Sequence, residues 1–388
     1  MRFELTDLTA GERALREEVR TFLAAELPRG SYEPALGMKS EKDPAFSRKL
    51  GARGWLGMTI PSRYGGHDRS AVDRLVVTEE LLRWGAPVAH HWVADRQSAP
   101  VIARFGTEEL KQRFLPGICR GELSFSIGMS EPESGSDLAS ISTRAVRDGG
   151  GWRVTGRKIW TSRADVNDWF IVLCRTSPAE EAGDKHQGLS QLIVDLKAPG
   201  LEATPIPFID GTADFTEVVL DDVFVPDELV LGEIGAGWAQ NTSELAYERG
   251  GPDRWLSTYL VVEELLREHQ HDGERLPDDV ADLLGDAAAN YWILHHLTLS
   301  VARMIDDGGA PSVEASLLKE MGTRFEQDVV NATLALIDEE PGLPSRSLFE
   351  RLLVSATITA PSFTIRGGTL EILRSVAAKG LRPGEHVR

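Results

Sequence analysis

Apolar positions change their period twice along this chain. From about residue 9 to 122 they recur at helical spacing: within Arg13–Leu27, the side chains of Leu15, Val19, Phe22 and Leu23 share one face, and Pro28 closes the segment. Ala45–Arg53 and Ala71–Trp84 repeat the pattern, Ile60–Gly66 reads as a loop, and Thr107 is placed to cap a further helix. Around Leu123 the period becomes alternating. Trp152–Gly156, Trp169–Leu173, Leu192–Asp195 and Thr216–Leu220 are predicted strands, with Gly149-Gly150-Gly151 as a hairpin-type turn. Short strands at this spacing predict a compact antiparallel barrel or sandwich. From Gly237 the helical period returns and runs to about Lys379. No internal repeat is present, so the expected layout is helical, then β, then helical.

Composition narrows the function classes. A chain of 388 residues buries a sizeable core and predicts two or three domains. No apolar run reaches the ~18 residues needed to span a bilayer, and Met1–Asp7 lacks the basic-then-apolar order of a signal peptide. The two cysteines, Cys119 and Cys174, are too isolated for a disulfide framework or a metal site, which predicts a reducing cytoplasm. A formal net charge of -18 repels nucleic acid, and the sequence carries no dense basic patch to offset it. An anionic ligand must then be met by locally placed Arg side chains or helix N-termini.

Three stretches have the residue types of a ligand site. Met129-Ser130-Glu131-Pro132-Glu133-Ser134-Gly135-Ser136-Asp137 offers hydroxyls and backbone N–H groups. Its acids argue against a phosphate cradle, and by composition alone it is a polar turn with Asp137 capping a helical turn. In Gly156-Arg157-Lys158-Ile159-Trp160-Thr161-Ser162, a strand Trp is usually core. Beside a hydroxyl it can instead stack on a planar ring. Arg366-Gly367-Gly368-Thr369-Leu370-Glu371 opens a helix with Thr369 as N-cap; the glycines permit close backbone approach, and the exposed N–H groups favour an electron-rich partner.

Together these stretches resemble the flavin-binding signature of the acyl-CoA dehydrogenase family. The resemblance covers nearly the whole chain, including Phe105–Lys111 and Phe114–Ile118. It implies an α+β fold with an N-terminal helical domain (1–122), a central antiparallel β-barrel or sandwich (123–235) and a C-terminal four-helix-bundle-like domain (236–388). It implies FAD as cofactor, with Met129 and Ser130 at the isoalloxazine, Trp160 packed on it, Ser162 near its reactive nitrogen, and Gly368, Thr369 and Glu371 as further flavin contacts. Ser136 would meet the CoA arm. The implied reaction is α,β-dehydrogenation of an acyl thioester: a carboxylate base takes the α-proton while a hydride passes from the β-carbon to flavin.

Most family members place that carboxylate where Gly367 stands here. In the isovaleryl-CoA and long-chain branches the base comes instead from a Glu-Arg pair, which Glu248-Arg249 matches by position and type. The following Gly250 and Gly251 are expected to leave room for a ligand, and Pro252, which offers no N–H to the Glu248 carbonyl, to kink the helix. A helical Glu more often pairs with an Arg on a solvated face. Arg249 is expected either to hold the CoA moiety or to serve a structural salt bridge. The Arg-Gln-Phe-Gly motif that in many members holds the FAD pyrophosphate across a subunit interface is replaced by Leu266–Gly273.

The expected partners are an acyl-CoA or acyl-carrier-protein thioester, an electron-transferring flavoprotein as acceptor, and further chains in a homo-oligomer. The apolar positions Leu370, Leu373 and Val376 of the last helix are offered for that contact. Two alternatives stand beside this reading. One is a subunit of a hetero-oligomer that lends part of a shared site; the other is a flavin monooxygenase on the same fold, which needs no α-proton base.

Overall fold

The structure is a computed structural model that describes residues 3–37, 39–177, 183–270, 275–337 and 347–381, and for 243–248 the backbone alone. Its helices are α1 (Ala10–Glu26), α2 (Pro44–Ala52), α3 (Ala71–Trp84), α4 (Ala99–Phe105), α5 (Glu108–Cys119), α6 (Gly237–Arg249), α7 (Tyr259–His269), α8 (Asp278–Asp306), α9 (Ser312–Ala335), α10 (Leu348–Thr359) and α11 (Leu370–Gly380). Its strands are β1 (Phe125–Gly128), β2 (Arg144–Asp148), β3 (Gly151–Ser162), β4 (Trp169–Arg175), β5 (Leu189–Asp195), β6 (Leu201–Ile206), β7 (Phe215–Pro226) and β8 (Val230–Leu231). The helical–β–helical order is as expected. Among the described residues no helix is long and apolar enough to cross a membrane.

The chain divides into two compact units. One comprises Met1–Ser40, Ser70–Pro87 and Ala246–Arg388; the other comprises Glu41–Arg69 and Val88–Leu245.

In the first unit, local sequence starts the helices and side-chain burial orders them. Thr9 and Glu12 form a capping box at the start of α1, a device that contributes about 1 kcal/mol. The predicted stripe is spent as the pattern requires: Leu15, Val19, Phe22 and Leu23 are buried. Arg16 and Arg20 of α1 pair with the buried Glu79 and Glu80 of α3, and Arg303 of α8 pairs with Glu12. A second core gathers Leu260 and Val261 of α7, Val330 of α9, Leu353 of α10, and Phe363. The last helix corrects an expectation. Leu370 and Leu373 are 8% and 1% exposed, so they belong to the unit's own interior and are not free for another chain. Ile372 and Ile365 stand outward instead.

In the second unit, a core of aromatic and branched side chains joins α4 and α5 to one sheet, with Phe114, Phe125 and Phe170 at most 1% exposed. The strand order is β6-β7-β3-β2-β4-β5-β8, with β1 beside β4. Most pairs are antiparallel, but β1 and β2 run parallel to β4, so the sheet is mixed. Four strands escape the sequence pattern for local reasons. β6 is an edge strand with largely exposed side chains and carries Pro205, which is tolerated at an edge. β1 and β8 are too short to set up an alternation, and β2 is charged at three of five positions. The buried thiols of Cys119 and Cys174 are both pushed up to about 12 by desolvation, so both are inert at neutral pH.

Candidate functional site

The Met129–Asp137 stretch follows β1 as a turn folded on itself, with Glu131 N–H donating to Ser134 O (2.8 Å) and Ser134 N–H to Glu131 O (3.0 Å). Met129 and Ser130 are half-buried, and Ser136 is exposed. Asp137 does sit at the start of a short helical turn, Leu138–Ser140, but its carboxylate caps no backbone N–H there. It accepts from Ser140 Oγ and from Lys185 Nζ, each at 2.6 Å.

Beneath this turn lies a buried ion pair. The Lys158 side chain is 0% exposed; its Nζ donates to Glu131 Oε1 at 2.9 Å and to Met129 O at 3.0 Å. Glu131 also accepts from Thr143 N–H (2.9 Å), Ser142 N–H (2.6 Å) and Ser142 Oγ (2.7 Å). Burial alone would push the Glu131 carboxyl up, but the Lys158 charge and these donors outweigh it and hold it at about 2. Burial draws the Lys158 ammonium down and Glu131 opposes this. The Glu131 carboxyl is therefore ionised at neutral pH.

Just beyond Lys158, β3 departs from regular pairing with β7, the register shifting between Lys158 and Thr161. Trp160 occupies that bulge with φ 60°, a left-handed conformation that costs a bulky residue roughly 1–2 kcal/mol. Its indole is 54% exposed and meets Phe215 edge-on at 6.2 Å. The general expectation that a strand Trp is core is thus corrected: the bulge turns the ring outward. A flat indole held out at a strained position fits stacking on a planar ring. Next to it, the buried Thr161 hydroxyl has no hydrogen-bond partner among the described residues. Ser162 is half-buried and its carbonyl accepts from Ser126 Oγ at 2.8 Å.

In the other unit, Gly367 and Gly368 take φ 66° and 100°, which explains why glycine stands at both. Thr369 caps α11, its hydroxyl accepting from Ile372 N–H, and Glu371 lies exposed in the first turn. Four cations surround the turn. Arg249 Nε donates to Gly367 O (3.1 Å), and Lys319 Nζ donates to Gly368 O (3.2 Å) and Phe363 O (3.1 Å). A Cβ on Gly367 would lie 3.3 Å from the Arg254 guanidinium carbon, and one on Gly368 3.2 Å from Arg249 Nη2. Arg366 bonds Ser257 Oγ (2.8 Å) and the fully buried Glu326. Sequence reading missed Arg254, Lys319 and Arg366. The one available signal was Arg366 standing against the glycine pair.

Lys319 is drawn down to about 7, first by burial and then by Arg254 and Arg366, with Glu326 opposing. An unfolded lysine keeps its ordinary value of 10.5, so between these values the unfolded chain binds more protons than the folded one. The resulting penalty is full below about 7 and is relieved as pH rises towards 10.5. The thermal midpoint of the protein is therefore expected to rise with pH in that window relative to Lys319→Met. Parallel pH profiles from calorimetry would refute this.

Glu248 lies in the last turn of α6; its side chain is outside the described residues. Arg249 is 8% exposed. The helix does not kink at Pro252. It ends at Arg249, and a separate helical turn, Pro252–Arg254, follows. Nor is Gly250 a space left for a ligand, because a Cβ there would lie 2.9 Å from Val301 Cγ1 of α8. Among the described residues no group of His, Cys, Asp and Glu could hold a metal ion.

Three family descriptions match consecutive parts of the chain: acyl-CoA dehydrogenase N-terminal domain at residues 9–122, middle domain at 126–223, and C-terminal domain at 235–382. Acyl-CoA dehydrogenase FadE26 of Mycobacterium tuberculosis is 32% identical over 396 residues, spanning 95% of this chain and 96% of that protein. Among solved structures, the ChsE4-ChsE5 complex from Mycobacterium tuberculosis superposes with a TM-score of 0.83 at 31% identity, over 99% of this chain and 100% of that one. The Tcur3481-Tcur3483 steroid ACAD does so with a TM-score of 0.84 at 30% identity, over 97% and 98%. The chain belongs to the acyl-CoA dehydrogenase family, oxidoreductases that act on CH–CH donors and use FAD as cofactor.

Proposed function

We propose that this protein catalyses FAD-dependent α,β-dehydrogenation of an acyl thioester, with Glu248 as the base that removes the α-proton. The observation that carries this is the Gly367 turn: the usual carboxylate is absent, and the Arg254 guanidinium stands 3.3 Å from where its Cβ would be. A base at that point would meet cations and lose basicity. Glu248, adjacent to Arg249 on α6, is the remaining candidate by resemblance.

When bound, FAD supplies the hydride acceptor. The chain's own residues bind and orient. Met129, Ser130, Trp160 and Ser162 are assigned to the flavin ring, and Gly368, Thr369 and Glu371 to further flavin contacts. The exposed indole of Trp160 and the left-handed glycines support these assignments. Ser136 and Arg249 are assigned to the thioester ligand, Arg249 while its Nε also fixes the Gly367 carbonyl. The segments 1–122, 123–235 and 236–388 are proposed as the three domains, and an electron-transferring flavoprotein as the acceptor.

The expected result is a yellow protein that binds FAD non-covalently and is bleached without air by its preferred acyl thioester. The panel should include CoA and carrier-protein thioesters, and steroid acyl thioesters on account of the relative named as a steroid enzyme. A preparation that stays colourless in excess FAD, both alone and with related chains, would count against the reading.

A second reading is supported by a relative that was solved as a complex of two differently named chains, ChsE4 and ChsE5. Under it, this chain is one subunit of a hetero-oligomer. The replacement of the Arg-Gln-Phe-Gly motif by Leu266–Gly273 favours a second chain at the FAD pyrophosphate. Native mass spectrometry of the chain expressed alone separates the two. A homo-oligomer with full FAD supports self-sufficiency, and FAD uptake only with a related chain supports the mixed assembly. A single ~43 kDa species holding FAD overturns both (mass 42.6 kDa).

A further inference from the structure

Lys158 and Glu131 stand inside the two flavin motifs, yet the proposed reaction gives neither a part. Three successive residues of the turn are fastened to strand β3 through them or beside them. Met129 O accepts from Lys158 Nζ (3.0 Å), Ser130 O accepts from Ile159 N–H (3.0 Å), and the Glu131 carboxylate receives Lys158 (2.9 Å) together with Ser142 and Thr143. The stem of Lys158 runs tight against the end of β1, where a Cβ on Gly128 would lie 3.1 Å from Lys158 Cγ.

A buried ion pair is a poor way to gain stability. Desolvation of the two charges offsets much of their attraction, and apolar replacements of similar volume are often neutral or better. What such a pair does well is fix geometry, because both charges penalise any arrangement that separates them. Here the geometry fixed is that of the backbone at Met129 and Ser130. With both carbonyls engaged inward, this stretch has N–H and hydroxyl groups left to donate to an electron-rich ring edge.

We propose that Lys158 and Glu131 are positioning residues that hold the Met129–Ser130 backbone in the arrangement that receives the flavin ring. The proposal rests on the reading that this stretch contacts the flavin. Neither side chain touches the reacting atoms. Each acts through the turn that it fastens.

The double variant Lys158→Met/Glu131→Gln removes both charges at similar volume, and its new amide still offers an oxygen to Ser142 and Thr143. Two quantities are read on the full chain, in whichever assembly carries FAD: the thermal midpoint of the apo form, and FAD binding with its absorption spectrum. The expected result is an apo midpoint close to the parent's, with FAD affinity weaker by about 10- to 100-fold, the range seen when outer-shell partners of a metal centre are removed, and a displaced flavin band. A merely structural pair would move the midpoint and leave affinity and spectrum alone. A folded double variant with the parent's FAD affinity and spectrum overturns the proposal while leaving the flavin reading intact. A parent that takes up no FAD removes both together. Should the double variant fail to fold, Glu131→Gln and Lys158→Arg are measured in the same way, with the same two outcomes deciding.

Discussion

Glu248→Gln is expected to slow reduction of the bound flavin by about 100- to 10,000-fold, the usual contribution of a positioned base to a proton transfer. The substitution keeps the size of the side chain and its capacity to hydrogen-bond, but an amide cannot accept the α-proton. The flavin spectrum and the affinity for the thioester should therefore stay as in the parent. Stopped-flow reduction without air, using the best substrate of the panel, measures the step directly. Reduction at the parent rate would remove Glu248 from the mechanism. It would direct attention to Glu244, one turn earlier on α6, or to a carboxylate of a partner chain.

Gly367→Glu, which places a carboxylate where the family resemblance puts the usual base, is expected to fail both as a rescue and as a neutral change. Two physical reasons apply. Position 367 has φ 66°, where any residue with a Cβ pays roughly 1–2 kcal/mol. That is about a 5- to 30-fold loss in the folded-to-unfolded ratio. The new side chain would also start 3.3 Å from the Arg254 guanidinium, with Arg249 bonded to the same residue's carbonyl. Such neighbours draw a carboxylate into a salt bridge and lower its pKa, which weakens it as a base. In the Glu248→Gln background, Gly367→Glu should leave flavin reduction at the slow rate and lower the melting midpoint. Recovery to the parent rate would mean that the cationic turn does not decide where the base sits.

The cations around Gly367 also bear on how an acidic protein receives an anionic ligand. Its net charge of -18 is a property of the whole chain. Arg249, Arg254, Lys319 and Arg366 surround a turn with the opposite local sign, and Asp253 and Glu326 are the buried acids beside them. Local charge of this kind is set by side chains from α6, the turn after it, α9 and the Gly-Gly loop, and no window of sequence collects them.

Much of the helical architecture was legible because its cause is local. α3 runs over Ala71–Trp84, the limits that the apolar period gives, and Thr107 and Thr369 cap α5 and α11 through bonds only three residues long. The strands with a buried, alternating or continuously apolar face were found for the same reason. β1, β2, β6 and β8 were not: β1 and β8 are too short to alternate, β2 is charged at three of five positions, and β6 has its side chains at an edge. The stretches assigned to the flavin were legible as motifs, but their internal mechanics were not. Nothing in the spacing of Glu131 and Lys158 announces a buried ion pair 27 residues apart in sequence.

By itself the sequence determined the family, the order of helical and β segments, and the absence of a carboxylate at position 367. Periodicity, capping and motif spacing are short-range properties that each residue carries with it. Tertiary structure alone decided that Trp160 faces outward from a bulge, that Leu370 and Leu373 serve the interior, that Gly250 packs on α8, and that guanidinium groups take the space beside Gly367. These depend on which distant side chains share one volume and how buried charge must be compensated, and that is settled only when the chain closes on itself.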